Sequence, residues 1–318
     1  MTTGKAKISI FYFVKYALIT ISQLTLTVCI GGNMYLSSFK FADELKEELF
    51  LNGIKRTCYQ SFYPFGVLSA HHLERLDFEP VTILYGGNGS GKSTALNIIC
   101  EKLGLQRDTL YNRSNFYEDY LGMCDYETES AIPKESRMIT SDDVFDFMLN
   151  LRCINNGIDA KREELFEDYL NAKYSKFTMK SLDDYEALRK VNLARSKTQS
   201  EYTRRNLMGN VREHSNGESA FIYFSDKIKE NALYLLDEPE NSLSSQKQLE
   251  LQKFLQDSAR FFGCQFIIAT HSPFLLSMKG AKIYDLDEER ADIKKWTELG
   301  NVRAYYDFFM EHRREFGE

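Results

Sequence analysis

The segment Gly86-Gly87-Asn88-Gly89-Ser90-Gly91-Lys92-Ser93-Thr94 constrains this chain more than any other. It has the spacing GxxxxGK[ST], in which glycines let the backbone turn tightly with its N–H groups facing inward. The run Val81-Thr82-Ile83-Leu84-Tyr85 before it is apolar and β-branched, as expected of a buried strand. After it, Ala95, Ile98, Ile99 and Leu103 recur at helical spacing as far as Gly104. A glycine-rich turn alone would be weak evidence, since such turns arise by chance. Between a strand and a helix it makes an anion nest at a helix N-terminus, so a nucleotide's phosphates are the expected ligand. Lys92 would reach the β- and γ-phosphates, and the Ser93 hydroxyl would coordinate Mg²⁺.

Two more apolar strands end in polar residues. Leu233-Tyr234-Leu235-Leu236 runs into Asp237-Glu238-Pro239. Standing alone, that would read as a strand followed by a solvated acidic turn. Beside a phosphate loop it reads as the second half of a Mg-ATP site. Asp237 would hold Mg²⁺ through water, and Glu238 would orient or deprotonate the attacking water. Phe266-Ile267-Ile268-Ala269 carries no charge and precedes Thr270-His271-Ser272-Pro273. A lone histidine is more often structural than catalytic. His271, however, sits just past a buried strand, where parallel sheets put their ligands, so it is a candidate partner for the γ-phosphate.

Elsewhere the chain alternates between α and β patterns. Ser245–Phe262 has an amphipathic helical pattern closed by Gly263, Ala281–Leu286 reads as a further strand, and the aromatic tail Val302–Phe316 reads as helical. The stretch from about 106 to 207 is charged and has the single proline Pro133. It shows helix starts at Ser141-Asp142-Asp143 and Ser181-Leu182-Asp183-Asp184. We therefore expect a helical lobe there, inserted into an α/β domain spanning 34–318. The formal charge of −6 gives the average surface no strong pull on nucleic acid. The six cysteines form no CxxC pair, which favours separate thiols over a zinc or disulfide framework.

Residues 1–33 form an apolar leader with a different character. Lys5 and Lys7 precede an apolar run from Ile8 to Gly32 that Lys15 interrupts. Such a run barely spans a membrane, and Lys15 near its centre would cost about 3 kcal/mol. No clean cleavage site marks it as a signal peptide. Met34 opens Met-Tyr-Leu-Ser-Ser-Phe-Lys-Phe, a first-strand pattern, and Gly31-Gly32 is what a ribosome-binding site would encode if translated in frame. The expectation is that Met34 is the natural start. A membrane anchor and a packed segment are the alternatives.

These elements, in this order, resemble the ATP-binding-cassette (ABC) ATPases. Gly86–Thr94 looks like Walker A, Ser215-Asn216-Gly217-Glu218-Ser219 like the signature motif in an S-x-G-E-S form, and Leu233–Glu238 like Walker B. Asn241-Ser242-Leu243-Ser244 looks like the D-loop and His271 like the switch histidine. The wording DEPE-NSLS and ATHSP is similar to standalone ATPases related to the heads of RecF, SMC and OLD proteins. The resemblance implies an α/β P-loop NTPase with a mainly parallel sheet, an antiparallel N-terminal β portion and an inserted helical lobe. It also implies ATP and Mg²⁺ as cofactors and an ATP-dependent homodimer, in which Ser215 and Gly217 contact the partner's γ-phosphate. Catalytic roles fall to Lys92, Glu238 and His271, phosphate contacts to Gly86 through Thr94, and metal contacts to Ser93 and Asp237. In such proteins a glutamine links Mg²⁺ to the helical lobe. Here no glutamine lies between Gln106 and Gln199, so either Asn115 or Glu118 substitutes or the coupling differs. Tyr63 and Phe65 are candidates to stack on adenine, with core packing the competing reading.

Three functions compete. The first is a cytoplasmic ATP-driven switch in DNA repair or phage defence, working with nucleic acid or a partner nuclease. The second is the ATPase subunit of a membrane transporter, to which the S-x-G-E-S signature and the missing glutamine are opposed. The third is a module that binds ATP without turnover, to which Asp237, Glu238 and His271 are opposed.

Overall fold

A computed structural model describes residues 33–317 apart from 56, 57, 60, 177–183, 208–215 and 289. The expectations for the leader, and for Ser215 in the signature motif, lie outside the described residues. The chain opens with β1 (Leu36–Lys40), α1 (Glu44–Gly53), β2 (Arg75–Asp77) and β3 (Val81–Tyr85). Next come α2 (Lys92–Leu103), α3 (Tyr117–Met123), β4 (Asp125–Thr128) and β5 (Arg137–Thr140). Three helices follow: α4 (Ser141–Tyr174), α5 (Tyr185–Ser196) and α6 (Gln199–Asn206). The last third alternates through α7 (Asn216–Lys227), β6 (Leu233–Asp237), α8 (Ser245–Phe261), β7 (Gln265–Ala269) and α9 (Pro273–Leu276). It ends with β8 (Lys282–Asp285), β9 (Asp292–Ile293) and α10 (Gly300–Glu311).

The main sheet has the order β5-β6-β7-β3-β8-β9. All its pairs are parallel except the last, where β9 runs antiparallel to β8. A smaller antiparallel sheet, β2-β1-β4, carries the N-terminal strand. Alternation along the central strands sends side chains to two separate cores. Leu84, Leu233, Leu235, Ile267 and Ala269 join the first, which α2 and α3 cover with Leu96, Ile98, Ile99, Tyr117 and Tyr120. Ile83, Tyr234, Leu236, Phe266 and Ile268 join the second, covered by α7, α8 and α9. Burying each large apolar side chain stabilises the fold by about 1.5–3 kcal/mol. A third cluster of Leu165, Tyr169, Ala172, Ala194 and Tyr202 holds α4, α5 and α6 together.

The helical stretch expected over 106–207 begins later, at Ser141. Residues 125–128 pair with β1, and residues 137–140 form an edge strand of the main sheet. Both strands are only 4 residues long, and β4 is exposed throughout. Neither has the apolar run by which a strand is recognised locally. The helix start at Ser141 is as expected: Thr140 caps it, with Asp143 reciprocating in a capping box.

Gln265 is one of the buried side chains that tie the two sheets together. Gln265 on β7 accepts the Tyr35 and Leu36 N–H groups at 2.9 Å each and donates to the Leu36 carbonyl at 2.7 Å.

Candidate nucleotide site

Every polar residue singled out after a strand lies at the C-terminal edge of the main sheet. That is where parallel α/β sheets leave a crevice for ligands. The loop after β3 contains Gly89 at φ +89° and Gly91 at φ +86°, conformations that L side chains rarely adopt. Gly91 also lies under the loop at Val67 and Leu68, where a Cβ would meet Leu68 Cδ2 at 2.9 Å. The loop is thus held both by its own glycines and by a neighbouring segment.

Lys92 is 5% exposed, and its Nζ donates to the carbonyls of Gly86 (2.6 Å) and Gly87 (2.8 Å). It is curled over the loop's own backbone. Ser93 Oγ donates to Asp237 Oδ1 at 3.0 Å, bringing together the two residues expected to hold a metal. Burial pushes the Asp237 carboxyl up to about 6; the Ser93 bond and Lys92 oppose the shift, and Glu238 adds to it. A hydroxyl and a partly buried carboxylate are hard oxygen donors of the kind Mg²⁺ prefers. The two oxygens, 3.0 Å apart, therefore fit a divalent cation.

Glu238 has φ +46°, unusual for a side chain of its size, and its N–H donates to the Ala269 carbonyl at 2.9 Å. Its Oε2 accepts from Asn241 Nδ2 at 2.8 Å, so the Asn241–Ser244 turn orients the carboxylate. His271 Nδ1 lies 3.9 Å from Glu238 Oε1 and 3.6 Å from Glu240 Oε1. Glu238 and His271 therefore face each other across the ends of β6 and β7.

The other expected residues separate. Tyr63 OH donates to Thr94 Oγ1 at 3.2 Å, at the start of α2 and beside the phosphate loop. Phe65 is buried in the core, stacked on Phe50 and edge-on to Tyr120, so it cannot stack on a base. Asn115 lines a cavity of about 580 Å³ with Tyr59, Tyr63 and Arg113. Glu118 is paired with Arg113 on the surface. Thr140, in register with Asp237, borders that residue from β5. Gly217 lies in the first turn of α7, where an added Cβ would meet Lys247 Cγ at 3.4 Å and the Ser242 carbonyl at 3.9 Å, next to the Asn241–Ser244 turn.

Three residues here were given no role from the sequence. Asp287 Oδ1 accepts the Gly87 N–H at 2.6 Å, clamping the loop from the end of β8. Glu240 takes three bonds from the loop after β7. Thr140 borders Asp237 from β5. Each pairing joins residues at least 30 positions apart, which no local pattern reports.

The sequence profile described as "ABC transporter" matches residues 75–241, more than half of the chain. A second profile, for an AAA domain of an AbiEii toxin in a type IV TA system, matches residues 210–277. No curated protein matches. Among solved structures the chain is similar to cbiO1 from Clostridium perfringens, part of the ABC transporter complex cbiONQ. That match has 15% identity, covers 76% of this chain and 88% of that one, and has a TM-score of 0.37. The Smc head domain from Pyrococcus furiosus, bound to the C-terminal domain of ScpA, matches at 14% identity, with coverages of 75% and 95% and a TM-score of 0.36. The SMC head domain from Thermotoga maritima matches at 14%, with coverages of 70% and 92% and a TM-score of 0.31. The breadth of the first profile, which runs from β2 through both strand-end carboxylates, decides the assignment: the chain belongs to the ATP-binding-cassette family, whose members bind and hydrolyse ATP.

Proposed function

We propose that this protein hydrolyses ATP with Mg²⁺ at the edge of its main sheet, in a site completed by a second copy of the chain. The observation that carries the reading is the bond from Ser93 to Asp237, with Glu238 and His271 beside it. Lys92 would release the Gly86 and Gly87 carbonyls and turn to the β- and γ-phosphates. The backbone N–H groups of the glycine loop and of Ser93 and Thr94 would cradle the phosphates. Ser93 and Asp237 would hold Mg²⁺, which supplies charge neutralisation on the phosphates when bound. Glu238 would orient the attacking water, and His271 would donate to the γ-phosphate. Ser215 and Gly217 would face the partner's γ-phosphate, so nucleotide joins two copies and hydrolysis releases them.

The switch would act in DNA repair or phage defence, together with nucleic acid or a nuclease. The AAA profile over residues 210–277, described for a toxin of a type IV TA system, supports the defence half. The test is phosphate release with and without Mg²⁺, with and without DNA, in the parent and in Glu238→Gln. Turnover that needs Mg²⁺ and vanishes in Glu238→Gln supports the reading. Turnover undiminished in that variant refutes it.

A further inference from the structure

Glu240 lies two residues beyond Glu238 and is 5% exposed. Its Oε1 accepts three hydrogen bonds from the loop after β7: Thr270 Oγ1 at 2.6 Å, the His271 N–H at 3.0 Å and the Ser272 N–H at 3.2 Å. The loop is held from two other elements as well. Ser272 Oγ donates to Gln248 Oε1 of α8 at 2.7 Å, and Asn301 Nδ2 of α10 donates to the His271 carbonyl at 3.1 Å. The backbone on which His271 stands is therefore fixed, while its imidazole is about half exposed.

Glu240 Oε2 is buried and has no hydrogen-bond partner. A buried acceptor of this kind is uncommon, and a donor that reaches it gains more than one in water would. His271 Nδ1 lies 3.6 Å from Oε1 of the same carboxylate. The charged groups around the ring are Glu238 and Glu240 from the turn after β6, with Arg303 of α10 lining the same cavity as His271 and Glu240. A carboxylate behind an imidazole decides which ring nitrogen carries the proton, and so which one faces outward.

We propose that Glu240 is the positioning residue for His271: it anchors the histidine loop through Oε1 and receives the Nδ1–H, which leaves Nε2 directed at the γ-phosphate. The 3.6 Å separation is longer than a hydrogen bond, and contacts of this kind tighten when the reacting complex forms. The inference rests on the ATP-hydrolysis reading above, and it names a residue that reading leaves out.

The test compares ATP turnover and thermal midpoint in the parent, Glu240→Gln, His271→Ala and the double variant. Glutamine keeps an oxygen for the three donors, so the midpoint stays near the parent's. The expected result is a kcat loss of about 10- to 100-fold with little change in KM. The double variant should be no slower than His271→Ala alone, because the two residues act as a unit. Parent-like turnover in Glu240→Gln, or losses that multiply in the double variant, would overturn the proposal. A parent that binds ATP without turnover would defeat the hydrolysis reading instead, and a second readout then decides the matter for Glu240. In long-range ¹H–¹⁵N spectra of the parent in alkaline buffer, with signals assigned by their loss in His271→Ala, the ring should carry its proton on Nδ1. A ring protonated on Nε2 alone overturns the proposal.

Discussion

Ser93 Oγ donates a hydrogen bond to Asp237 Oδ1 across 3.0 Å, joining the first turn of α2 to the end of β6, 144 residues apart in sequence. The bond goes to a carboxyl that burial pushes up to about 6 from an ordinary value of 3.8. The folded chain therefore holds that proton more tightly than the unfolded chain does. Asp237 favours folding fully below about pH 4, and this contribution is lost as pH rises through about 6. Asp237→Asn removes the ionisation. The metal-free variant should then gain on the order of 1–3 kcal/mol over the parent between pH 4 and 7. Thermal midpoints measured across that range without Mg²⁺ test this, and parallel curves for the two proteins would refute it. Adding Mg-ATP should raise the parent's midpoint and leave the variant's nearly unchanged.

Glu238→Gln should lower turnover by about 10²- to 10⁴-fold, since the amide cannot take a proton from water. The φ of +46° belongs to the backbone, and the oxygen of a glutamine side chain can still accept from Asn241 Nδ2, so the variant should still bind ATP. With hydrolysis blocked, the ATP-bound dimer should accumulate. Light scattering after gel filtration in Mg-ATP reads the mass directly. A mass that stays monomeric would show that the two copies do not share the site.

Much of this site was legible because its residues follow uncharged apolar strands. Val81–Tyr85, Leu233–Leu236 and Phe266–Ala269 each form a strand, and each ends at the ligand edge. The strand Arg137–Thr140 was not legible, since four residues led by an arginine look like the charged stretch around them. Thr140, which parallel pairing sets beside Asp237, was therefore not among the residues expected at the site. Asp287 and Glu240 were hidden for a related reason. Their partners, Gly87 and the Thr270–Ser272 loop, are brought to them by sheet order, and sheet order is not written in any short window of sequence.

Gly91→Ala should cost about 2 kcal/mol and abolish nucleotide binding. The new Cβ would meet Leu68 Cδ2 at 2.9 Å, and alanine resists φ +86°. Leu68 is fully buried, so it cannot swing away. The same strain displaces the first turn of α2, which carries Lys92 and Ser93. Thermal shift with and without Mg-ATP measures both effects, and a parent-sized shift on adding nucleotide would refute the second.

The cysteines among the described residues should divide by burial. Cys58 and Cys153 are exposed, whereas Cys100, Cys124 and Cys264 are buried. Burial also pushes the Cys100 and Cys124 thiols up to about 12, so little thiolate is available at neutral pH. Brief alkylation of the native protein followed by peptide mass mapping should mark Cys58 and Cys153. The buried three should react only in denaturant. Native labelling of Cys100 would show that the first core opens readily.

Gln265→Ala tests whether the two sheets depend on a single amide. The side chain is fully buried, and its loss strands the Tyr35 and Leu36 N–H groups and the Leu36 carbonyl. Each buried group left unpaired costs about 1–3 kcal/mol, so a total of about 3 kcal/mol is expected after some relaxation. Tyr35 OH still reaches the Gly263 carbonyl at 3.0 Å, which keeps β1 near its place rather than releasing it. For a domain of this size the melting midpoint should fall by roughly 6–12 °C. Hydrogen exchange should rise first at Tyr35 and Leu36, ahead of β3 and β6. A uniform rise across both sheets would mean that Gln265 supports the whole fold rather than the joint between them.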